Sequence, residues 1–372
     1  MFGPSMVPTP DPNPLPAPFW VFKLLLVVTF YLHILAMNFM LGGAALALLA
    51  RWRQKGNRFG TRIFFDVAKK VPVLMAATIS LGIAPLLFVQ VLYGQFFYTS
   101  SILVAWPWFL VLVLVVCAYY GFYFVSYQGE RRPKAVGRVM LFSTTLVLII
   151  GFIYTNNLTL SQVPAHWAQK YFSSTSGWDL NLSEPTLVPR YLHFMTAAVA
   201  VGGLYLVLIA WTKWKQDREY ARAIFQLGGK AFLYATMAQV VIGFWFLFSL
   251  PKTLRMVFMG TDPLATALLC FGLVAALTTI FMMSAALKKD NIRLAALGVT
   301  SITALIVFSM SVMRELLRMA YLKPYYNPQQ FAVQTQWSPF LIFLGLFVAG
   351  GVFWFVMLKR YGLFSRTKPV QP

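Results

Sequence analysis

Five residues in this chain stand where a charged or ligating group is costly, because the segments around them are apolar enough for a membrane interior. His193 sits in Val188-Pro189-Arg190-Tyr191-Leu192-His193-Phe194-Met195-Thr196, about one turn inside an apolar helix. Its imidazole is either a metal or haem ligand, or a polar group satisfied by neighbouring helices. Small residues follow on the same helix (Ala197, Ala198, Ala200, Gly202 and Gly203). They would admit a bulky flat group, and they would equally serve simple helix packing. His33 lies near the middle of the first apolar run with Met37 one turn on, on the same helical face. Ligation of haem or an ion and a plain interhelical hydrogen bond are both open to it. Glu315 falls in Met313-Arg314-Glu315-Leu316-Leu317-Arg318. The triplet with Arg314 and Arg318 is either a structural ion pair or a carboxylate ligand flanked by two arginines placed for haem propionates, which arginine recognises in paired fashion.

Other chemistry finds little support. No phosphate-binding glycine loop, dinucleotide fingerprint, H-E-x-x-H or nucleophile elbow is present. Cys117 and Cys270 both lie in apolar runs, with no C-x-x-C and no C-x-x-C-H, so any haem is held non-covalently. His166, in a Pro-Ala-His-Trp loop, reads as a surface residue. Phe122-Tyr123-Phe124 and Phe244-Trp245-Phe246 read as lipid-facing or core aromatics.

The elements that position these residues are membrane helices. The chain has 372 residues, 59% hydrophobic and 11% charged, with a mean hydropathy of +0.69. A water-soluble domain is nearer half apolar and a quarter charged. At roughly 20 apolar residues per crossing, nine spans are expected: 19–49, 71–92, 102–124, 139–160, 192–211, 231–248, 263–287, 294–317 and 340–358. The net charge of +21 would suggest nucleic acid in a soluble protein. Here 23 of the 31 basic residues sort onto one set of connections, among them Arg51, Lys55, Arg58, Arg131, Lys213, Lys288, Lys359, Arg366 and Lys368. The positive-inside rule then places the N-terminus outside and the C-terminus in the cytoplasm, and nucleic acid is not an expected partner. Residues 1–18 form a Pro-rich exposed arm with no basic n-region, leading into a retained first helix. Residues 19–360 form a single all-α transmembrane domain, and 361–372 a cytoplasmic tail.

Taken together the pattern resembles subunit I of cytochrome bd quinol oxidase, a nine-helix haem protein. His33 followed by Gly42-Gly43 is similar to that family's opening helix, whose histidine binds a high-spin haem. Gly82-Ile83-Ala84 and Tyr93-Gly94-Gln95, with Phe96-Phe97-Tyr98-Thr99-Ser100, resemble its glycine-rich exit from the second helix. Asn156-Asn157 and Pro164 match its Asn-Gly-Trp turn without the glycine and tryptophan. Pro189 to Gly203 resembles the helix whose histidine binds low-spin haem b. Glu315 and Arg318 match a Glu-x-Gly-Arg motif whose glutamate is a haem ligand.

Departures qualify what the resemblance implies. The outer loop that contributes to quinol binding is reduced to about 249–262. The methionine expected on the seventh helix as second ligand of the low-spin haem is replaced by Leu269 or Cys270, with Met282 and Met283 far along toward the inner end. The third helix offers Ala105, Trp106, Pro107, Trp108 and Tyr119 where the proton path has glutamates. Oxygen reduction consumes protons at a buried site, so the expectation is a haem b-binding electron-transfer subunit of the bacterial inner membrane. It would exchange electrons between the quinone pool and an outer-side partner such as a multihaem cytochrome c, alongside other membrane subunits. On this expectation His193 and His33 ligate haem iron, Glu315 ligates or neighbours it, and Arg314 and Arg318 meet propionates. A terminal quinol oxidase, a transporter and a haem-free structural subunit are the alternatives.

Overall fold

A computed structural model describes residues 7–11, 13–53, 59–129, 131–174, 176–328 and 331–361. Of the residues singled out from sequence, Lys55, Arg58, Arg366 and Lys368, the first six of the arm and the tail beyond residue 361 lie outside the described residues. The chain is a polytopic helical bundle. Its helices are α1 (Phe19–Trp52), α2 (Gly60–Ala68), α3 (Val71–Leu103), α4 (Ala105–Gln128), α5 (Pro133–Ser161), α6 (Trp167–Ser173), α7 (Leu187–Lys213), α8 (Arg218–Ser249), α9 (Lys252–Met256), α10 (Pro263–Lys288), α11 (Thr300–Leu322) and α12 (Trp337–Tyr361). Nine described segments are long and apolar enough to cross a membrane, in the expected order. Several helices outrun their apolar cores: α3 continues to Leu103 and α8 begins at Arg218. In both cases polar residues extend the helix beyond the hydrophobic run.

Two π-helical turns interrupt the regularity, Val257–Thr261 before α10 and Leu294–Val299 leading into α11. Within α3, Pro85 lacks the N–H for an intrahelical bond, and Tyr93 adopts φ −133°, ψ 28°. The arm is tied down by an isolated bridge between Leu15 and Val333.

The spans alternate between the face carrying residue 19, here the N-terminal face, and the opposite, C-terminal face. Toward the C-terminal face α1, α7 and α8 pack with their backbones almost touching. A methyl added at Gly202 of α7 would lie 2.5 Å from Gly42 Cα of α1, and one at Gly203 would lie 2.5 Å from Gly228 O of α8. Only glycine permits so close a crossing, the means by which helices associate where no hydrophobic force drives them. Around this crossing is a solid core that includes Met40, Phe64, Leu206, Phe225, Phe232 and Met283. α2 is clamped against it: Asp66 accepts from Tyr220 Oη at 2.6 Å and Lys213 Nζ at 2.8 Å. In contrast, α12 stands outside the bundle. Its described side chains are mostly exposed, Leu346 at 69%, and near its start Phe343 meets Phe88.

Gly202→Ala is expected to destabilise the bundle by about 1–3 kcal/mol or more, as overpacking does. Its melting temperature in detergent should fall well below that of Gly345→Ala, a position with nothing within 4 Å; equal stability of the two variants would refute the close-crossing account.

Candidate cofactor cavities between the helices

Toward the N-terminal face the helices diverge, and two cavities open, each with one histidine on its wall. A cavity needs only about 10–15 Å³ to hold a water. These are far larger, about 400 Å³ around His33 and about 250 Å³ around His193.

His33 lies between α1 and α3. Its Nδ1 is 2.9 Å from Thr78 O. A carbonyl oxygen only accepts, so Nδ1 carries the proton and Nε2 keeps its lone pair. No bond to Nε2 is formed among the described residues, and the ring is on the cavity wall. One turn beyond Thr78, Gly82 lets the imidazole lie against the helix: a Cβ there would fall 2.9 Å from both Cε1 and Nδ1. Carbonyl-anchored Nδ1–H with a free Nε2 is how proteins orient an imidazole for iron or another metal. Met37, Met75 and Met195 supply thioethers to the same wall.

His193 is placed differently. It lies between α7 and α8, against Gly243, whose added Cβ would be 3.2 Å from Cε1, and its buried Nδ1 has no partner. The cavity faces it with Arg190, Gln239, Met310 and Met313. Arg190 is 4% exposed. Its Nη1 donates to Gln162 Oε1 at 2.7 Å, while Nε and Nη2 have no partner. Of the seventh-span candidates, Leu269 reaches the wall but carries no donor, and Cys270 is exposed and off it. Met282 and Met283 pack near Gly298 and Gly229 on the side away from the histidine. The thioethers at this cavity come from α11, a source that sequence spacing did not reveal. Arg190, three residues before His193, was readable in sequence as an i,i+3 neighbour.

The Arg-Glu-x-x-Arg triplet on α11 divides. Glu315 is wholly engaged: Tyr93 O–H donates to Oε1, and Arg318 Nη1 donates to Oε2 at 2.9 Å, with both side chains of the ion pair 3% exposed. Glu315 is not on either cavity wall, standing one layer behind Tyr93 and Arg318, which are. Arg314 turns the other way, its guanidinium carbon 4.1 Å from the Phe30 ring centroid and its Nε unpartnered. Among the described residues, then, three arginines border the cavities, Arg190 and Arg318 buried and Arg314 partly so, and only Arg318 is ion-paired. Unpaired buried charge is expensive, so an occupant bearing carboxylates would relieve it. His166 is exposed at the end of a short 3-10 turn and takes no part.

No described group of three His, Cys, Asp or Glu residues could hold a metal ion from protein alone. A macrocycle that brings its own equatorial donors needs only one or two axial ligands. One or two are what each cavity offers: an imidazole, thioethers nearby, arginines for acidic substituents and apolar walls. The residues therefore fit a haem.

Removing the Glu315 carboxylate strands the Arg318 charge, which typically costs about 3–5 kcal/mol. Glu315→Leu should lower the detergent melting temperature sharply, and Glu315→Leu with Arg318→Leu should recover much of the loss; additive losses would show that the two side chains do not act as a pair.

No family model and no curated protein matches the sequence. By fold, the chain is similar to a chain of the bd oxidase from Geobacillus thermodenitrificans, with a TM-score of 0.68 at 12% identity, covering 92% of this chain and 98% of that one. The bundle that carries the two histidine-walled cavities is thus a bd-oxidase-like membrane fold.

Proposed function

We propose that this chain is a haem b-binding electron-transfer subunit of a bacterial inner membrane, exchanging electrons between the quinone pool and a redox partner on its N-terminal side. The observation that carries this reading is the Nδ1–H of His33 anchored on Thr78 O, which leaves Nε2 free at a 400 Å³ cavity. Haem, when bound, supplies one-electron chemistry. On this reading His33 would hold the iron in one cavity and His193 in the second, where Met310 and Met313 also line the wall. Arg190, Arg314 and Arg318 neutralise propionates. Glu315, held by Tyr93 and Arg318, acts as the neighbour that fixes Arg318 rather than as an iron ligand.

With its N-terminus outside, as the basic connections favour, His193 lies toward the outer face, the side on which a multihaem cytochrome c would dock, and His33 lies near the middle of α1. Terminal quinol oxidation by oxygen is the second reading, favoured by the fold shared with an oxidase. Against it stands the composition of the cavity walls: no carboxylate lines either cavity, and oxygen reduction draws protons to a buried site. The isolated complex supplied with a quinol should reduce added cytochrome c without consuming oxygen. Oxygen uptake at a comparable rate, abolished by His33→Ala, would replace the transfer reading with the oxidase.

A further inference from the structure

The two cavities are separated by a wall one side chain thick. Phe30, Ile34, Leu158, Phe194 and Arg314 each line both. Four of the five are apolar, so Arg314 is the sole charge on the shared wall. It forms no hydrogen bond or ion pair among the described residues. Glu315, its neighbour in sequence, is committed to Tyr93 and Arg318 on the other side of α11, and the contact that holds the guanidinium is the face of Phe30, 4.1 Å away. The other two arginines are not shared: Arg190 borders the His193 cavity alone and Arg318 the His33 cavity alone.

Resting on the haem reading, we infer that Arg314 is a common electrostatic support for the reduced state of both occupants, a positioning charge that ties their redox equilibria together. Reduction adds one negative charge to an occupant, and a nearby cation in a poorly solvated site favours that charge. Since Arg314 borders both cavities, removing its charge lowers both midpoint potentials, whereas removing the charge of Arg190 lowers one. At roughly 10 Å and an effective dielectric near 20, a unit charge changes the reduced-to-oxidised ratio about tenfold, which is 59 mV for a one-electron couple.

The test is a spectroscopic redox titration of the purified complex, each centre being assigned by its loss in His33→Ala or His193→Ala. Arg314→Gln should lower both midpoints by about tenfold in ratio, and Arg190→Gln only that of the His193 centre. If Arg314→Gln does not assemble, Arg314→Lys serves, since burial lowers the pH at which a lysine sheds its proton: both midpoints should fall together as pH rises through that lowered titration, beyond any change in the parent. A response confined to one centre, or to neither, overturns the shared role while leaving haem binding intact. Absence of haem from the parent protein overturns the underlying reading, and this inference with it.

Discussion

The architecture depends on one steric constraint, the crossing of α1, α7 and α8 at Gly42, Gly202, Gly203 and Gly228. In a membrane, apolar side chains gain little by leaving lipid for protein, so helix association rests on close packing. Glycine at each crossing point brings the three backbones within contact of one another toward the C-terminal face. Helices pinned at one end and tilted by the larger side chains above must separate toward the other. The solid core and the two cavities are two consequences of the same crossing, one on each side of it.

Into the separated half the chain places nearly all of its costly groups. His33, His193, Arg190, Arg314 and Arg318 border the cavities, and Glu315 stands just behind. Their surroundings differ in kind. The Glu315 carboxylate is fully engaged by Tyr93 and Arg318 and reads as structure, while Arg318 keeps Nη2 without a partner. The two unpaired arginines, the unpartnered Nδ1 of His193 and the free Nε2 of His33 read as functional, because leaving such groups unmet costs stability that a close-packed alternative would not. The two histidines are also unequal. A backbone carbonyl orients His33, while the protein leaves His193 Nδ1 without a partner, so His33 rather than His193 is the better prepared ligand.

Much of the fold was legible from hydropathy alone, since a crossing requires a long apolar run and there are nine of them. The ends of the helices were less legible: thirteen residues at the start of α8, Arg218 to Lys230, are helical although too polar to be read as span. That α12 stands apart was also hidden, because an apolar face looks the same whether lipid or protein covers it. In the site, the histidines and arginines singled out from sequence gather at the two cavities, with Glu315 just behind their walls. Their pairing was not visible. The partner of His33 is a backbone carbonyl 45 residues away, which carries no sequence signature, and adjacent Arg314 and Glu315 face different neighbours because consecutive helical residues lie about 100° apart. The thioethers of the His193 cavity come from α11 rather than α10, a matter of helix rotation that spacing along one helix does not determine.

The claim on which the account turns is that His33 holds an iron macrocycle through Nε2. The most direct measurement is the reduced-minus-oxidised visible spectrum, with haem quantified per chain, of the purified protein and of its His33→Ala variant. The account predicts haem b bands in the parent and loss of one haem per chain in the variant, with the remainder unchanged. A parent without haem bands, or a variant that keeps the full haem content and spectrum, would contradict it.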